Sequence, residues 1–294
     1  MFGIIIVNQI IGHNQYKINR FKDEFSKRQI EVEVFTNDGT LAKIENGEVI
    51  VNLPAADFVL YMDKDSYLAR MLEKAGYCLF NNADFIKMCD DKMLTYIRCA
   101  NLGIPMIKTM AGPLVYSPTL EASNYNFLTK VEEEFGYPLI VKRVYGSLGE
   151  GVYIAHDINE LKDIYSANYR MPLLFQKYMS NSVGKSVRVL IIDNQVVGGF
   201  ERFNKDDFRS NFGESASSRK LDNESKFIEF AKKMLQKMDI LYAGIDLLYD
   251  ENNEPILCEI NSNAFFEEFE KVTNIDVAKL YVDMVIKEVQ REQE

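Results

Sequence analysis

Histidine is scarce in this chain, because the 294 residues contain only His13 and His156. The two lie far apart in the sequence and at no spacing typical of metal ligands, which makes a histidine-rich zinc site implausible. A Ser-His-Asp or Cys-His catalytic arrangement would have to use one of these two residues. The sequence therefore favours chemistry that needs no histidine.

Paired cysteines and long apolar runs are also missing. The four cysteines form no C-x-x-C motif and indicate reduced thiols: Cys78, Cys89, Cys99 and Cys258. The N-terminal run 1–7 is too short, and lacks the basic flank, for a signal peptide. No apolar run approaches the ~18–20 residues that a membrane span needs. We therefore expect a soluble, cytoplasmic protein with no membrane partner.

Basic residues are outnumbered, since 34 Lys and Arg stand against 44 Asp and Glu, a formal net charge of -10. Affinity for a nucleic-acid backbone comes mainly from Lys and Arg clusters, so a nucleic-acid partner is disfavoured. A nucleotide remains compatible, because it needs only a few local cations. The composition, 47% hydrophobic and 27% charged, is that of a globular protein, and the length allows two or three compact lobes.

The first 85 residues alternate between apolar runs and helical spacings. Buried strands are predicted at 2–7, 31–36, 58–62 and 77–81, and helices at 14–29 and 67–75. Asn37-Asp38-Gly39 and Glu45-Asn46-Gly47 are turn signals around a predicted hairpin. This alternation predicts a small parallel sheet covered by helices. No G-x-G-x-x-G follows the first strand, so nothing there marks a dinucleotide site.

The rest of the chain predicts an α+β assembly rich in hairpins, so the fold class is α/β overall. One helix is predicted over 84–102, ended by Gly103 and Pro105. Further strands are predicted at 139–143, 151–155, 173–179, 187–192, 195–200, 243–248 and 255–260. Further helices are predicted at 129–135, 158–166, 224–238 and 276–290.

The last two strands form a hairpin around a predicted turn at Asn252-Asn253. With that turn, Ile245 faces Ile260 and Leu247 faces Cys258. These side chains give the hairpin one apolar face that is ready to be buried.

The opposite face of this hairpin is acidic. Asp246 lies opposite Glu259, and Asn261 flanks Glu259, because side chains alternate between the two faces of a strand. Directly opposed like charges destabilise a sheet, and a divalent cation removes the repulsion. Two carboxylates and one amide suit Mg²⁺ or Mn²⁺ completed by water and phosphate oxygens. Spacing alone leaves open the alternative of an exposed acidic hairpin that holds no metal.

A lysine within an apolar strand precedes a glycine-rich loop. Lys142 needs a partner, since burying an unpaired ammonium is costly. The glycines that follow, Gly146, Gly149 and Gly151, free the backbone N–H groups of the loop to approach an anion. Together, Lys142 and this loop indicate a polyphosphate site, in which the lysine contacts the phosphates and the loop covers them. The loop is not a Walker motif, and an ordinary glycine turn is the alternative.

Four other segments carry polar groups of the same kind: Asp90-Asp91-Lys92 at a helix start, the strand 174–179, Arg188 within a strand, and Phe208-Arg209-Ser210-Asn211. A guanidinium inside a strand requires an anion, whereas each segment taken singly is compatible with ordinary surface or core chemistry.

The order of these segments resembles that of the ATP-grasp ligases, and most of all the RimK-like alpha-L-glutamate ligases. The resemblance covers about residues 83–286 and rests on DDKMLTYIRCANLGIP, PLIVKRVYGSLGEGV, the arginine of SVRVLIIDNQVVGGFERF, DFRSN and AGIDLLYDENNEPILCEINSN. It implies an N-terminal α/β domain over 1–85, a central lid subdomain over 86–172 and a C-terminal subdomain over 173–294. The last two would clasp ATP.

The resemblance also implies roles for individual residues. The ATP contacts would be Lys92, Lys142, Gly146, Ser147, Leu148, Gly149, Gly151, Gln176, Lys177, Tyr178, Met179, Ser186, Arg209, Ser210 and Asn211. The catalytic residues at the phosphates or the acyl phosphate would be Arg188, Arg209 and Asn211. Asp246, Glu259 and Asn261 would hold two Mg²⁺ (or Mn²⁺) ions.

The sequence departs from the family pattern in several places. Lys177 replaces a usual acidic residue, and Ser186 replaces an aspartate that usually binds the ribose. Asn263-Ala264-Phe265 stands in place of S-P-G, and the basic segment of the N-terminal domain reads LYMDK at 60–64. The last two segments would border the acceptor, so the resemblance leaves the substrate open.

The function implied is an ATP-dependent carboxylate–amine ligase that works through an acyl phosphate and releases ADP and phosphate. Its substrates would be a carboxylate and an amine, such as an amino acid like glutamate, a peptide or a protein terminus. The alternatives are a phosphotransferase that acts on a small molecule and a nucleotide-binding module without catalysis. A homo-oligomer is compatible with the sequence, since two-fold dimers are the commonest soluble assembly.

Overall fold

Three sheets, which we call the first, second and third in chain order, organise the chain. The computed structural model describes residues 1–147, 149–210 and 217–293. Within these ranges, no helix is both long enough and apolar enough to cross a membrane. All four cysteines are free thiols.

The first sheet has four parallel strands in the order β2-β1-β5-β6, as the strand–helix alternation predicts. Its part of the chain contains β1 (Phe2–Val7), α1 (Gly12–Lys27), β2 (Glu31–Thr36), β3 (Ala42–Glu45), β4 (Glu48–Val51), β5 (Phe58–Met62), α2 (Ser66–Lys74) and β6 (Leu79–Phe80). Strands β3 and β4 form the separate hairpin predicted from Asn46-Gly47. Because β1 and β5 are apolar throughout, the sheet is buried on both faces, by α1 on one and by α2 on the other.

The second sheet is antiparallel, with the order β7-β10-β8-β9. The elements that follow β6 are α3 (Ala83–Asp90), α4 (Lys92–Cys99), β7 (Thr109–Ala111), α5 (Asn126–Phe135), β8 (Leu139–Arg143), β9 (Val152–Ala155), α6 (Ile158–Asn168) and β10 (Leu173–Lys177). Helices α5 and α6 bury the apolar face of this sheet. Strand β10, which lies at the start of the C-terminal subdomain expected over 173–294, pairs with β7 and β8 in the second sheet.

The single helix predicted over 84–102 is wrong, because the chain breaks at Asp91 into α3 and α4. The Asp91 side chain accepts a hydrogen bond from Leu94 N at 3.0 Å, and its backbone is extended. An aspartate stabilises a helix start far better than a helix interior, which explains the break. The expectation that Asp90-Asp91-Lys92 lies at a helix start is confirmed, and Asp91 is the residue that caps α4.

The third sheet is antiparallel, with the order β13-β12-β11-β14-β15. Its elements are β11 (Lys185–Ile192), β12 (Gln195–Phe203), β13 (Ser217–Lys220), α7 (Lys226–Leu235), β14 (Tyr242–Tyr249), β15 (Pro255–Asn261), α8 (Glu267–Thr273) and α9 (Val277–Gln293). Helix α7 covers one face. Helix α9 covers part of the other, and its core is continuous with that of β1, β5 and α1 in the first sheet.

A buried asparagine joins the first sheet to the third. Asn81, 4% exposed, donates hydrogen bonds of 2.9 Å to both Tyr242 O and Ser262 O. Tyr281 of α9 donates to Phe80 O at 3.2 Å beside it. These contacts fix the end of β6 against the two strands that carry the acidic residues.

We predict that Asn81→Ala lowers the free energy of unfolding by about 2–4 kcal/mol, because two buried carbonyls lose their donor. Urea denaturation measures this change. Asn52→Ala is the matched control, since Asn52 donates one exposed hydrogen bond to Thr40 O, and its loss should cost below about 1 kcal/mol. Equal effects at the two positions would contradict the joining role of Asn81.

Candidate active site

The acidic face of the last hairpin lies as the sequence predicts. Asp246 pairs with Glu259 across β14 and β15, and Ile245 pairs with Ile260. Asn261 lies two residues beyond Glu259 on the same face of β15. Two carboxylates and an amide therefore meet on one surface of the third sheet.

The predicted pairing of Leu247 with Cys258 is wrong, because a β-bulge follows Asp246. Leu247 pairs instead with Leu257, and both are fully buried. A bulge adds one residue to one strand and re-aims its neighbours. Cys258 is consequently half-buried at the site rather than hidden beneath the sheet.

Arg188 neutralises Asp246 within the sheet. The two are Cα partners on β11 and β14, and Arg188 Nε and Nη2 donate to the two carboxylate oxygens at 2.7 and 2.6 Å. Burial disfavours the charged form of Arg188 and by itself would lower its pKa. The Asp246 carboxylate has the larger opposite effect, so the Arg188 pKa lies above its usual range. Asn261 Nδ2 donates a further hydrogen bond to Asp246 Oδ2 at 3.0 Å. The carboxylate is therefore held by three donors.

Gly244 provides the space that Arg188 occupies. A Cβ on Gly244 would lie 2.8 Å from Ala264 Cβ and 3.4 Å from both Cδ and Nε of Arg188. Any larger residue would push the arginine away from Asp246. The close approach of side chain to backbone explains a glycine in mid-strand.

Glu259 differs from Asp246 in forming no ion pair within the described residues, although Arg188 lies near enough to interact with its charge. Within the described ranges it has no hydrogen bond and no ion pair, and it is only partly exposed. A carboxylate in such a place is stabilised by a cation. No three His, Cys, Asp or Glu side chains of the described chain form a metal-holding group. The oxygen donors of Asp246, Glu259 and Asn261 nevertheless fit Mg²⁺ or Mn²⁺, which water and phosphate oxygens complete.

Lys142 brings the second sheet to this hairpin. Its Nζ lies 3.7 Å from Cys258 Sγ on β15. Burial raises the pKa of the Cys258 thiol, although Lys142 opposes the shift, so the sulfur is a neutral partner. Lys142 has no carboxylate partner in the part of the chain that the structure describes, and its charge remains available for an anion.

The glycine-rich loop is tied to the start of α4. Lys92 Nζ donates to Gly146 O at 2.7 Å, and Tyr145 OH donates to Asp91 Oδ2 at 2.7 Å. Gly146, Gly149 and Gly151 have φ values of 142°, 79° and 70°, which only glycine adopts without strain. Ser147 lies within the loop, whereas Leu148 lies outside the described residues.

Arg209 and its neighbours reach the same loop from the third sheet. Arg209 Nη1 donates to Gly149 O at 3.0 Å, while Asp207 pairs with its guanidinium at 2.8 Å. The Ser186 and Ser210 hydroxyls are 2.5 Å apart. Asn211 lies outside the described residues.

The segment 176–179 lies beside an apolar cluster. Gln176 is buried, and its Nε2 donates to Thr109 Oγ1 at 2.8 Å, while its Oε1 has no partner among the described residues. Met179 packs with Tyr96 and Ile107, beside Met93, Met106, Leu248 and Ile256. Lys177 forms an ion pair with Glu251, and Tyr178 is half-buried.

One buried lysine next to the site was missed by the sequence analysis. Lys17 of α1 is 1% exposed, donates to Asn263 Oδ1, and lies 5.3 Å from the centre of the Phe265 ring. No carboxylate of the described chain pairs with it. Burial lowers the pKa of Lys17 to about 7. In the sequence, the buried Lys17 is indicated only by its position among the regularly spaced apolar residues of α1.

Comparison with known proteins identifies a family by sequence. Residues 90–285 match the profile described as the RimK-like ATP-grasp domain. An uncharacterised protein of Mycoplasma genitalium is 30% identical over 266 residues, which cover 88% of this chain and 91% of that protein. The human beta-citrylglutamate synthase B is 30% identical over 265 residues, covering 86% of this chain and 66% of the synthase.

A solved structure shares the fold. The RimK domain ATP-grasp protein of Sphaerobacter thermophilus superposes with a TM-score of 0.72 at 14% identity, covering 97% of this chain and 100% of that one. The α/β class, with a parallel N-terminal sheet followed by antiparallel sheets, is therefore confirmed.

We predict that Lys17→Met stabilises the chain most at low pH. The Lys17 pKa of about 7 lies below the unfolded value of about 10.4, so between these limits the unfolded chain binds more protons and wild-type stability rises with pH. The advantage of the variant should therefore shrink by about 2–3 kcal/mol between pH 6.5 and pH 9. Urea denaturation at the two pH values measures it.

Lys22→Met is the control for this experiment, because Lys22 is an exposed lysine on the same helix. Its effect should be the same at both pH values. An advantage of Lys17→Met that is independent of pH would show that Lys17 keeps an ordinary pKa in the folded chain.

Proposed function

The chain belongs to the RimK-like ATP-grasp family, and on that premise we propose that it is an ATP-dependent carboxylate–amine ligase. The reaction joins a carboxylate to an amine as an amide, with release of ADP and phosphate. The family and the enzyme class expected from the sequence motifs are confirmed by the profile match over 90–285.

One observation carries the proposal most directly. Lys142 of the second sheet lies against Cys258, next to Glu259, so a lysine and a carboxylate that form no ion pair among the described residues meet where the two sheets touch. The pair suits a polyphosphate bound through both a lysine and a cation. Neither side chain forms an ion pair within the described residues, as a purely structural charge would.

We assign the nucleotide to the cleft between the second and third sheets. Lys92 and Lys142 would contact the phosphates, with the glycine-rich loop above them. The apolar cluster at Met179 would border the adenine, and Gln176 Oε1, which lacks a partner among the described residues, is an acceptor for its amino group. Lys177 and Ser186 are engaged by Glu251 and Ser210, so the ribose would be held differently from the family pattern.

Asp246, Glu259 and Asn261 would hold Mg²⁺ or Mn²⁺, and we propose two ions as in the family pattern. A bound cation would neutralise part of the negative charge on the phosphates. Arg188 is paired with Asp246 in the sheet. When a bound cation neutralises Asp246 instead, the Arg188 guanidinium would turn toward substrate anions.

The chemistry proceeds in two steps. The substrate carboxylate attacks the γ-phosphorus of ATP, the bond from that phosphorus to the bridging oxygen breaks, and ADP and an acyl phosphate result. The amine then attacks the acyl carbon, loses a proton and expels phosphate. Negative charge develops on the transferring phosphoryl group, so fixed cations such as Lys142, Arg188 and Arg209 lower the barrier. Because Arg209 binds Gly149 O, the loop and this arginine cover the acyl phosphate together and exclude water.

For the substrates we propose an acidic amino acid such as glutamate as the amine, joined to a small carboxylic acid or a peptide terminus. The name of the human relative, beta-citrylglutamate synthase B, supports glutamate as one half of the product. A cytoplasmic location and a two-fold dimer stay predictions.

We predict that the chain releases ADP only when ATP, Mg²⁺, an acid and an amine are all present. ADP release with L-glutamate as the amine and citrate, N-acetyl-L-aspartate or a dipeptide as the acid tests this, with mass detection of the amide. EDTA should abolish the reaction. A phosphate ester instead of an amide would identify a phosphotransferase, and background ADP with every pair would favour a binding module.

We predict that Lys142→Ala and Glu259→Ala each lower the rate of ligation about 10²- to 10³-fold, because each removes an electrostatic contact to the reacting phosphates. Glu259→Ala should also weaken Mn²⁺ binding measured by electron paramagnetic resonance. Lys162→Ala and Glu254→Ala, at exposed positions on α6 and in the hairpin turn, are the matched controls and should keep wild-type rates. Wild-type turnover by either test variant would overturn its assignment.

A further inference from the structure

The side chain of Gln176 has its orientation fixed by a neighbouring threonine. Gln176 of β10 is 1% exposed, and its Nε2 donates to Thr109 Oγ1 at 2.8 Å. Thr109 Oγ1 in turn donates its only proton to Ile107 O at 2.7 Å. The threonine hydroxyl therefore has only lone pairs to offer Gln176, and it must face the NH₂ end of the amide.

Tyr96 of α4 favours the same orientation. Its hydroxyl donates to Leu257 O at 3.2 Å and to Cys258 O at 3.1 Å, so its proton is also taken. Burial raises the pKa of Tyr96, and a hydrogen bond from the Gln176 side chain opposes the rise. A reversed amide would set Gln176 Oε1 against two hydroxyl oxygens whose protons are already used, which is costly in a buried place.

The register places Gln176 on the face of the second sheet that meets the third. Phe175 and Val141 belong to the core formed with α5 and α6. Because side chains alternate along a strand, Gln176 and Lys142 lie on the opposite face. Gln176 pairs with Ile140, which is two residues, or about 7 Å, from Lys142 along β8. A nucleotide whose phosphates contact Lys142 can therefore reach Gln176 with its base.

Gln176 Oε1 is the end of this amide that lacks a partner. It accepts no hydrogen bond from the described residues, whereas a buried polar atom ordinarily has one. The apolar cluster at Met179, which includes Tyr96, also contains Met93 and Met106. Methionine side chains adapt to irregular spaces, so this cluster can rearrange around a flat purine ring. Oε1 suits a donor on that ring, and it would repel an acceptor.

We propose that Thr109 determines the choice of base: it holds Gln176 with Oε1 toward the purine, so that the chain selects adenine nucleotides over guanine nucleotides. The 6-amino group of adenine would donate to Oε1, whereas the 6-oxo group of guanine would place a second acceptor against it. The inference rests on the proposed nucleotide site and adds the residue that enforces its selectivity. Thr109 is a positioning residue, because it acts on the base only through Gln176.

Calorimetric titration of ADP and GDP in the presence of Mg²⁺ tests the selection without an acid or an amine. The wild type should bind ADP about 10- to 100-fold more tightly than GDP, since GDP replaces a donor by an acceptor at a buried partner. Thr109→Val should reduce this preference at least about 5-fold, because the amide is then able to turn over. Thr109→Ser keeps a hydroxyl and should keep the preference.

Thr273→Val is the matched control. Thr273 of α8 is also buried, and its hydroxyl also donates to a backbone carbonyl, Phe269 O, at 2.7 Å. This variant should keep the wild-type preference for ADP. If Thr109 only maintained the second sheet, Thr109→Val would weaken the binding of ADP and GDP by the same factor, which would overturn the inference.

Purine riboside diphosphate, which lacks the 6-amino group of ADP, tests the contact to Gln176 itself. The wild type should bind it about 5- to 10-fold less tightly than ADP, because Oε1 loses its donor. Gln176→Met lacks the acceptor and should bind the two nucleotides about equally. Equal affinity of the wild type for both would overturn the inference, even if Thr109→Val failed to fold.

The outcomes distinguish this inference from the ligase proposal. Loss of the ADP preference in Thr109→Val but not in Thr273→Val supports the selection, even if no acid and amine pair releases ADP and the ligase proposal fails. Amide formation by the wild type, together with an unchanged preference in Thr109→Val, overturns the selection and leaves the ligase proposal intact. Equal binding of ADP and GDP by the wild type, or binding of neither, also overturns the selection.

Discussion

The ion pair between Arg188 and Asp246 is the constraint around which the site is arranged. Both charges are withdrawn from water, and such a pair is tolerated only when its geometry is good and its remaining atoms are hydrogen-bonded. Asn261 meets the second condition by donating to Asp246, and Gly244 meets the first by leaving room for the arginine. Because the partners lie on adjacent strands, the pair also fixes the register of β11 against β14. The acidic face and the arginine beside it are therefore held before any ligand binds.

Much of this arrangement could be predicted from the sequence, because it depends on local patterns. Continuous apolar runs indicated β1 and β5, and alternation in the last hairpin placed Asp246 opposite Glu259. The order of the short motifs indicated the family. These signals are strong because a strand repeats every two residues and its buried face tolerates few polar groups.

What the sequence did not predict depends on contacts between distant segments. The bulge after Asp246 cannot be read from residue types, yet it moved Cys258 into the site beside Lys142. Lys17 is buried because α1 packs on the segment that follows β15, and Arg202 is paired because α8 folds over β12. The break between α3 and α4 at Asp91 could have been predicted, since an acidic residue within a predicted helix can mark the start of a new helix.

The packing of α9 joins two of the three sheets through one hydrophobic core and leaves the other with a core of its own. One continuous core includes α9, α1 and strands of both the first and third sheets, whereas the core of the second sheet is built from its own strands with α5 and α6. The first and third sheets, which carry the carboxylates, therefore share one core, whereas Lys142 and the glycine-rich loop belong to a sheet packed on helices of its own. A shift of the second sheet would leave the shared core intact, and it would change the distance between Lys142 and the carboxylates.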